Sequence, residues 1–238
     1  MILSKFKYLK QTKKFHEKKY NEMGLKYQRQ HPNEDVIRFV NKNFTEKQFF
    51  FLDVGCGSGR HLNFIKTKGH KVEGLDFSFN ALKLLKNNKK NKHQKLIYDS
   101  LPLMKKVSNA RYDVVIDCFT SYTLIQKDFY LYLKNVFRVL KDNGKFHLQA
   151  FSTKSDLFRN YLPSKKVFKF SLASIKRFNS PFPNDDYLFT FYNKSKIKNL
   201  LSKSGFCEIN IETHSRTYRN SNEYIEYFVI DSKKNKKV

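Results

Sequence analysis

Three glycines in alternate positions follow an apolar run and precede a segment with helical periodicity. They are Gly55, Gly57 and Gly59, within the stretch Asp53–Arg60 (DVGCGSGR). Because glycine lacks a Cβ, such a turn lets the backbone bend tightly and approach a ligand closely. The spacing lacks the last glycine of the dinucleotide fingerprint GxGxxG, and no Gly-Lys-Ser/Thr of a phosphate loop follows. The turn therefore predicts a site for a nucleotide-like ligand and disfavours a dehydrogenase.

Acidic side chains recur at the ends of later predicted strands. Asp76 comes 17 residues after Gly59, where a carboxylate can accept hydrogen bonds from both hydroxyls of a ribose. Asp99 and Ser100 follow the third strand, where they can bind an adenine edge. Asp117 ends the fourth strand, beside the switch point at which open α/β sheets bind ligands. Asp76 as a helix N-cap and Asp99 as a turn residue are the alternatives, but the joint spacing favours a ligand site.

Short apolar runs alternate with amphipathic segments through the middle of the chain. The run at 49–54 is apolar on nearly every position, as expected for a parallel strand buried on both faces. Further strands are predicted at 71–76, 95–99, 112–118 and 145–151, and helices at 58–68, 79–88 and 127–140. This alternation predicts a Rossmann-like α/β fold with seven strands in a mostly parallel sheet and helices on both faces.

The flanking segments break this rhythm. Residues 1–45 predict an N-terminal helical cap whose second half has an apolar face, and residues 46–238 are predicted to form the main domain. An insert at about 152–192, with prolines in polar and aromatic surroundings, predicts a lid or substrate-binding segment. A helix at 194–204 leads into strands at 206–213 and 224–231, whose short connection predicts an antiparallel end of the sheet.

The chain carries a formal net charge of +26, from 47 basic and 21 acidic residues. Such a charge attracts phosphates and anionic surfaces. Lysine, however, outnumbers arginine by 38 to 9, and arginine is the residue favoured for bidentate recognition of phosphates and bases. The composition predicts a solvated lysine-rich surface, and nucleic-acid binding is the alternative.

The cysteines Cys56, Cys118 and Cys207 lack CxxC spacing, so neither a disulfide framework nor a metal site is predicted. No apolar run approaches the roughly 18 residues that span a bilayer, and lysines interrupt the first twenty residues too often for a signal peptide. We predict a cytoplasmic protein without a transmembrane segment. The alternative is that Lys5–Lys19 lies on an anionic membrane.

Four stretches together resemble the class I S-adenosylmethionine-dependent methyltransferases. Phe51–Arg60 (FLDVGCGSGR) resembles motif I of that family, and Val72–Ser78 (VEGLDFS) its second motif. Tyr112–Asp117 (YDVVID) resembles the fourth strand, and Phe137–Lys145 (FRVLKDNGK) the helix-to-fifth-strand turn, with Asp-Asn-Gly in place of the usual Pro-Gly-Gly. The resemblance covers 49–151 closely and 194–231 more loosely.

The resemblance implies a role for each residue of these motifs. Gly55 and Gly57 would face the methionine part of S-adenosylmethionine, with Asp53 at its amino group. Arg60 would meet its carboxylate, and Asp76 would bind the ribose. The predicted cofactor-binding residues are Asp53, Gly55, Cys56, Gly57, Gly59, Arg60, Asp76, Phe77 (against the adenine), Asp99 and Ser100 (at the adenine edge) and Asp117.

We predict methyl transfer to a small-molecule acceptor, such as a metabolite or sugar, through the insert and the cap. The Asn/Asp-Pro-Pro-Tyr motif of enzymes that methylate base amines is missing after Ile116. One alternative is an RNA-directed methyltransferase that uses the basic surface and the aromatic side chains of the insert. Another is a cofactor-binding protein without turnover. The insert's aromatic residues include Phe168, Phe170, Phe178 and Phe182.

The sequence identifies no catalytic base, although oxygen and nitrogen acceptors need one to remove a proton. His31, Tyr122 and Tyr192 have no supporting context. His147 lies within a strand; its side chain is predicted to pack in the core, and facing the site is the alternative. Cys118 is predicted to be a buried thiol.

Overall fold

The computed structural model describes residues 7–88, 94–162, 164–173, 187–218 and 222–235. The helices are α1 (Lys7–Met23), α2 (Glu34–Asn43), α3 (Arg60–Thr67), α4 (Phe79–Asn87), α5 (Gln126–Val139), α6 (Asp156–Arg159) and α7 (Lys194–Lys203). The strands are β1 (Phe50–Val54), β2 (Lys71–Asp76), β3 (Lys95–Tyr98), β4 (Tyr112–Cys118), β5 (Leu140–Phe151), β6 (Lys166–Phe168), β7 (Ser171–Leu172), β8 (Phe189–Thr190), β9 (Phe206–Tyr218) and β10 (Glu223–Lys234).

The main sheet has the strand order β3-β2-β1-β4-β5-β10-β9 within the described ranges. The first five strands are parallel, whereas β10 runs antiparallel to both β5 and β9. The order of the strands reverses between β1 and β4, which is the switch point where such sheets bind ligands. The predicted Rossmann-like fold, with seven strands and one antiparallel end, is confirmed.

The alternating side chains of β1 explain why this strand lies at the centre. Phe51 packs into the apolar layer on one face of the sheet, together with residues of α2, α3 and α4. Leu52 and Val54 pack into the layer on the other face, with residues of α5 and α7. A strand buried on both faces holds the following turn, residues 55–59, rigidly at the carboxyl edge of the sheet.

The N-terminal segment lies across this edge. The Glu17 carboxylate of α1 accepts hydrogen bonds from the backbone N–H groups of Phe79 (2.7 Å) and Asn80 (3.1 Å) in the first turn of α4. The Tyr8 hydroxyl donates to Asp128 Oδ2 at 2.6 Å, in the first turn of α5. Two contacts on α1 thus fix this helix over the site. The division of the chain into a cap and a main domain stays a prediction.

The insert contributes α6 and a small sheet of β6, β7 and β8. Its apolar side chains, including Leu157 and Phe189, share a core with residues of β5 and β10. Phe168 is exposed at 52%, while Phe178 and Phe182 lie outside the described residues. Among the described helices, none is long and apolar enough to cross a membrane.

Candidate functional site

The glycine turn adopts a backbone that other residues rarely take. Gly55, Gly57 and Gly59 have φ angles of 69°, 47° and 77°, all in the left-handed region. A Cβ on Gly55 would lie 2.2 Å from Thr120 Oγ1, and one on Gly57 would lie 1.9 Å from Gln28 Oε1. The left-handed conformation favours glycine at all three positions, and the close approach of Thr120 also favours it at Gly55.

Asp76, at the end of β2, is tied to the turn. Its Oδ2 accepts a hydrogen bond from the Gly57 N–H at 2.9 Å, and its Oδ1 accepts one from the Ser78 N–H at 2.8 Å. Burial raises the pKa of Asp76 to about 6, while these two amide hydrogen bonds act in the opposite direction. A carboxylate offers about four lone pairs, so roughly two remain for further donors such as the two hydroxyls of a ribose.

A cavity of about 440 Å³ opens beside this turn, between the carboxyl edge of the sheet and α1. Five predicted cofactor-binding residues line it: Gly55, Cys56, Arg60, Asp76 and Phe77. The glycine turn, a carboxylate with unused lone pairs and an aromatic ring therefore meet in one concave site. These features fit a nucleoside-containing cofactor.

The other predicted residues lie close by but are not among the described residues that line the cavity. Gly57 binds Asp76, and Gly59 precedes α3. Asp53 is 1% exposed, with Oδ1 at 3.4 Å from His61 Nδ1. The cofactor roles of these residues stay predictions.

Asp99, Ser100 and Asp117 are likewise absent from that lining. Asp99 accepts hydrogen bonds from the backbone N–H groups of Ser100 (2.8 Å) and Lys106 (2.7 Å), which closes its own loop. Asp117 accepts from the N–H groups of Thr120 (2.8 Å) and Ser121 (3.3 Å), and burial raises its pKa. Both carboxylates shape the loops that follow their strands, and their direct contact with the cofactor stays a prediction.

Side chains of α1 and the turn after it form part of the lining that sequence reasoning missed. Tyr20 is 2% exposed, and its hydroxyl has no hydrogen-bond partner among the described residues. His16 packs against Phe77 and Tyr187, with ring centroids 5.7 and 4.9 Å apart. Burial raises the pKa of Tyr20 and lowers that of His16 to about 4. His16 and Tyr20 are four residues apart, which places both on one face of the helix. This spacing is the feature of the sequence that could have identified them as lining residues.

Aromatic side chains line the rest of the cavity. Phe119, directly after β4, has a φ of 55°, which is uncommon for a bulky residue. Its ring stacks on Phe151 at 4.8 Å and meets Tyr227 edge-on at 5.2 Å. The hydroxyls of Tyr122 and Tyr187 are 2.7 Å apart. This part of the cavity is suited to an apolar or planar ligand.

The residues considered for proton transfer are dispersed. Tyr122 lines the cavity, whereas His31, His147 and Tyr192 are absent from its described lining. His147 is fully buried, with Nδ1 at 2.7 Å from Asp231 Oδ1, so its predicted packing role is confirmed. Cys118 is buried as predicted, and burial raises the pKa of its thiol to about 12. A thiol with so high a pKa is not a nucleophile at neutral pH.

A family model described as a methyltransferase domain matches residues 25–209. The chain belongs to this family. This match confirms the predicted family resemblance, the predicted enzyme class and the predicted dependence on S-adenosylmethionine. Among curated proteins, none matches the sequence.

Solved methyltransferases share the fold at low sequence identity. An S-adenosylmethionine-dependent methyltransferase from Methanosarcina mazei is 20% identical, with a TM-score of 0.65 over 83% of this chain and 98% of that one. One from Archaeoglobus fulgidus is 14% identical, with a TM-score of 0.60 over 84% and 91%. The 1,6-didemethyltoxoflavin-N1-methyltransferase of Burkholderia thailandensis, solved with 1,6-didemethyltoxoflavin and S-adenosylhomocysteine, is 16% identical, with a TM-score of 0.57 over 85% and 77%.

Proposed function

We propose that this methyltransferase acts on a small-molecule acceptor. The supporting observation is that one cavity extends from Gly55 and Asp76 to the aromatic residues Phe119, Tyr122 and Tyr187. Cofactor and acceptor would therefore share one concave site. Its volume of about 440 Å³ falls within the roughly 300–1,000 Å³ of small-molecule sites. The Burkholderia methyltransferase, which was solved with the small molecule 1,6-didemethyltoxoflavin, is consistent with this proposal.

The chain's own groups match the parts of the cofactor. The spare lone pairs of Asp76 would accept from the ribose hydroxyls, Phe77 would lie against the adenine, and Arg60 would bind the carboxylate. Asp53 would accept from the amino group, since its buried Oδ2 has no hydrogen-bond partner among the described residues. When bound, S-adenosylmethionine supplies a transferable methyl group on a cationic sulfonium.

The cavity walls contribute water exclusion and electrostatics. Tyr20 and His16 of α1 cover the site, and aromatic faces such as those of Phe119 and Tyr122 attract a cationic centre. A desolvated site strengthens these interactions and holds the two reactants in a fixed orientation. A reaction between a sulfonium and an acceptor needs both contributions from the protein, and an oxygen or nitrogen acceptor also needs a group that removes its proton.

The first experiment is calorimetric titration with S-adenosylmethionine and S-adenosylhomocysteine. We expect saturable binding by the wild type and a loss of about 1.5 to 3 kcal/mol for Asp76→Asn, since charge-assisted hydrogen bonds would be lost. Asp142→Asn is the matched control, because Asp142 is a half-exposed carboxylate that pairs with Lys234 at 3.6 Å and is not among the described lining residues. Failure of the wild type to bind either molecule would overturn the proposed use of this site.

A second experiment tests the acceptor. The purified protein is incubated with S-adenosylmethionine that carries a tritiated methyl group, together with pooled small metabolites or with total RNA. Label in the small-molecule fraction, and none in RNA, is the expected result. Label confined to RNA would replace the proposed acceptor class by the RNA-directed alternative.

A further inference from the structure

The charged residues that line the cavity differ in type from those of the chain as a whole. Three are arginines (Arg29, Arg60 and Arg216), one is an acid (Asp76), and no lysine occurs among the described lining residues. Yet the chain contains 38 lysines and only 9 arginines. A guanidinium binds carboxylates and phosphates through two parallel hydrogen bonds, which an ammonium does not do. The lining is therefore specialised for anionic groups.

The arginines divide between the two ends of the cavity. The backbone carbonyl of Arg29 accepts from Ser58 Oγ at 3.2 Å, which places this residue beside the glycine turn. Arg60 lies at the same end, with Nη2 at 3.3 Å from Cys118 Sγ, a neutral partner. S-adenosylmethionine has a single carboxylate, so these two arginines are sufficient for the anionic part of the cofactor.

Arg216 belongs to the aromatic end. It lies on β9 directly opposite Ile225 of β10, and both residues line the cavity together with Tyr218 and Tyr227. It pairs with the Glu34 carboxylate at 3.3 Å, but the Arg216 and Glu34 side chains are 41% and 84% exposed. An exposed pair of this kind is weak. A guanidinium has five N–H donors, so Arg216 retains donors for a ligand.

Phe119 supplies the surface on which such a ligand would lie. A left-handed φ at a non-glycine residue costs on the order of 1 kcal/mol or more and persists where neighbours enforce it. Here the ring is held by stacking on Phe151 and edge contact with Tyr227, while remaining partly exposed in the cavity. The strained backbone thus presents an aromatic ring at the end of the cavity that also contains Arg216.

We infer that the acceptor is a planar aromatic molecule with an acidic substituent, whose ring lies against Phe119 and whose acidic group binds Arg216. The inference rests on the proposed function and specifies the substrate class of that site. Arg216 and Phe119 are then specificity-determining residues. Acceptor binding can be measured separately from cofactor binding, on the protein saturated with S-adenosylhomocysteine.

The test is calorimetry on the protein saturated with S-adenosylhomocysteine. The probes are 4-hydroxybenzoate, anthranilate and indole-3-carboxylate, each paired with its neutral carboxamide, and cyclohexanecarboxylate as a non-planar acid. We expect at least one aromatic acid to bind about tenfold or more tightly than its amide, as for a charge-assisted bidentate contact. Cyclohexanecarboxylate should bind more weakly than that acid, because it cannot stack.

Variants separate the two contacts. Arg216→Gln should abolish the preference for acid over amide, and Arg216→Lys should restore part of it. Phe119→Leu should weaken binding of acid and amide alike. Arg38→Gln is the control, because Arg38 is a half-exposed arginine that pairs with Glu212 at 2.8 Å and is not among the described lining residues.

The outcomes distinguish the inference from the proposed function. If S-adenosylhomocysteine itself does not bind, the proposed function fails. If it binds but none of the aromatic acids does, the substrate class is wrong while the cofactor site stands. Equal affinity for acid and amide, or a preference that survives Arg216→Gln, would also overturn the inference.

Discussion

The carboxylate of Asp76 serves both the protein and its ligand. Its two oxygens already accept from the N–H groups of Gly57 and Ser78, which fixes the glycine turn. Burial nevertheless raises its pKa to about 6, above the usual value of about 3.9 for an aspartate. The group is therefore ionised at neutral pH but is protonated under mildly acidic conditions, where it loses acceptor capacity.

This pKa predicts how cofactor affinity depends on pH. If ribose binding requires the carboxylate, the affinity for S-adenosylhomocysteine should fall about tenfold between pH 7 and pH 5. The contribution of Asp76 to folding has the opposite sign. The folded state binds the proton more tightly, so this contribution decreases as the pH rises from about 4 to about 6. Calorimetry across this range checks the first effect, and Asp76→Asn should make the affinity independent of pH. A flat wild-type profile would contradict the role of Asp76.

Two glycines allow backbone strain to be separated from steric contact. Gly57 and Gly24 have similar left-handed φ angles, 47° and 59°. A Cβ on Gly57 would lie 1.9 Å from Gln28 Oε1, whereas one on Gly24 would have nothing within 4 Å. We expect Gly24→Ala to cost only the conformational strain, about 1 kcal/mol, without loss of cofactor affinity. Gly57→Ala should cost more and should also weaken S-adenosylhomocysteine binding. Denaturant unfolding and calorimetry measure the two effects, and identical behaviour of both variants would contradict this account.

Among the elements, α1 covers the site and is held by its contact with α4. Glu17 accepts from the two exposed N–H groups at the start of α4, where a negative charge is also favoured by the helix dipole. We expect Glu17→Gln to lower the free energy of unfolding by about 1 kcal/mol and to increase hydrogen exchange in α1. Since Tyr20 and His16 of α1 line the cavity, cofactor affinity should fall as well.

Glu22→Gln provides the control for this experiment. Glu22 is on the same helix but pairs only with the exposed lysines Lys18 and Lys19 in the described structure. Such pairs contribute little to stability. If both variants change the hydrogen exchange of α1 and the cofactor affinity equally, the contact of Glu17 with the start of α4 is not what holds α1 in place.

The sequence predicts the parallel strands well and the edge strands less well. The bounds of β2 and β4 agree with the prediction, because each strand ends in an acidic residue or a cysteine directly before a turn or loop. The strand predicted at 206–213 continues as β9 to Tyr218, because backbone pairing with β10 extends beyond the apolar residues. The spacing of apolar residues shows which positions are buried. An edge strand is buried on one face only, so this spacing marks its ends poorly.

For the site, spacing along the chain predicts which strand ends converge but not where each carboxylate points. Asp76 turns toward the glycine turn, whereas Asp99 turns toward the N–H of Lys106 in its own loop. Local hydrogen-bond donors decide between these orientations. His16 and Tyr20 could not be assigned, because their position depends on where α1 packs against distant parts of the chain.

For the whole molecule, the net charge of +26 and the cavity beside the glycine turn lead to different expectations for RNA binding. Surface lysines should bind RNA without sequence preference, and this binding should weaken by roughly a thousandfold between 50 and 200 mM salt, as for about six phosphate contacts. The Arg216 side chain is 41% exposed and is one surface cation among many, so Arg216→Gln should change the RNA affinity no more than the control Arg38→Gln does, while it alters acid binding. Fluorescence anisotropy of labelled RNA, with and without S-adenosylhomocysteine, measures the RNA affinity. RNA affinity that depends on the cofactor, or that falls more with Arg216→Gln than with Arg38→Gln, would show that RNA enters the cavity and would favour the RNA-directed alternative.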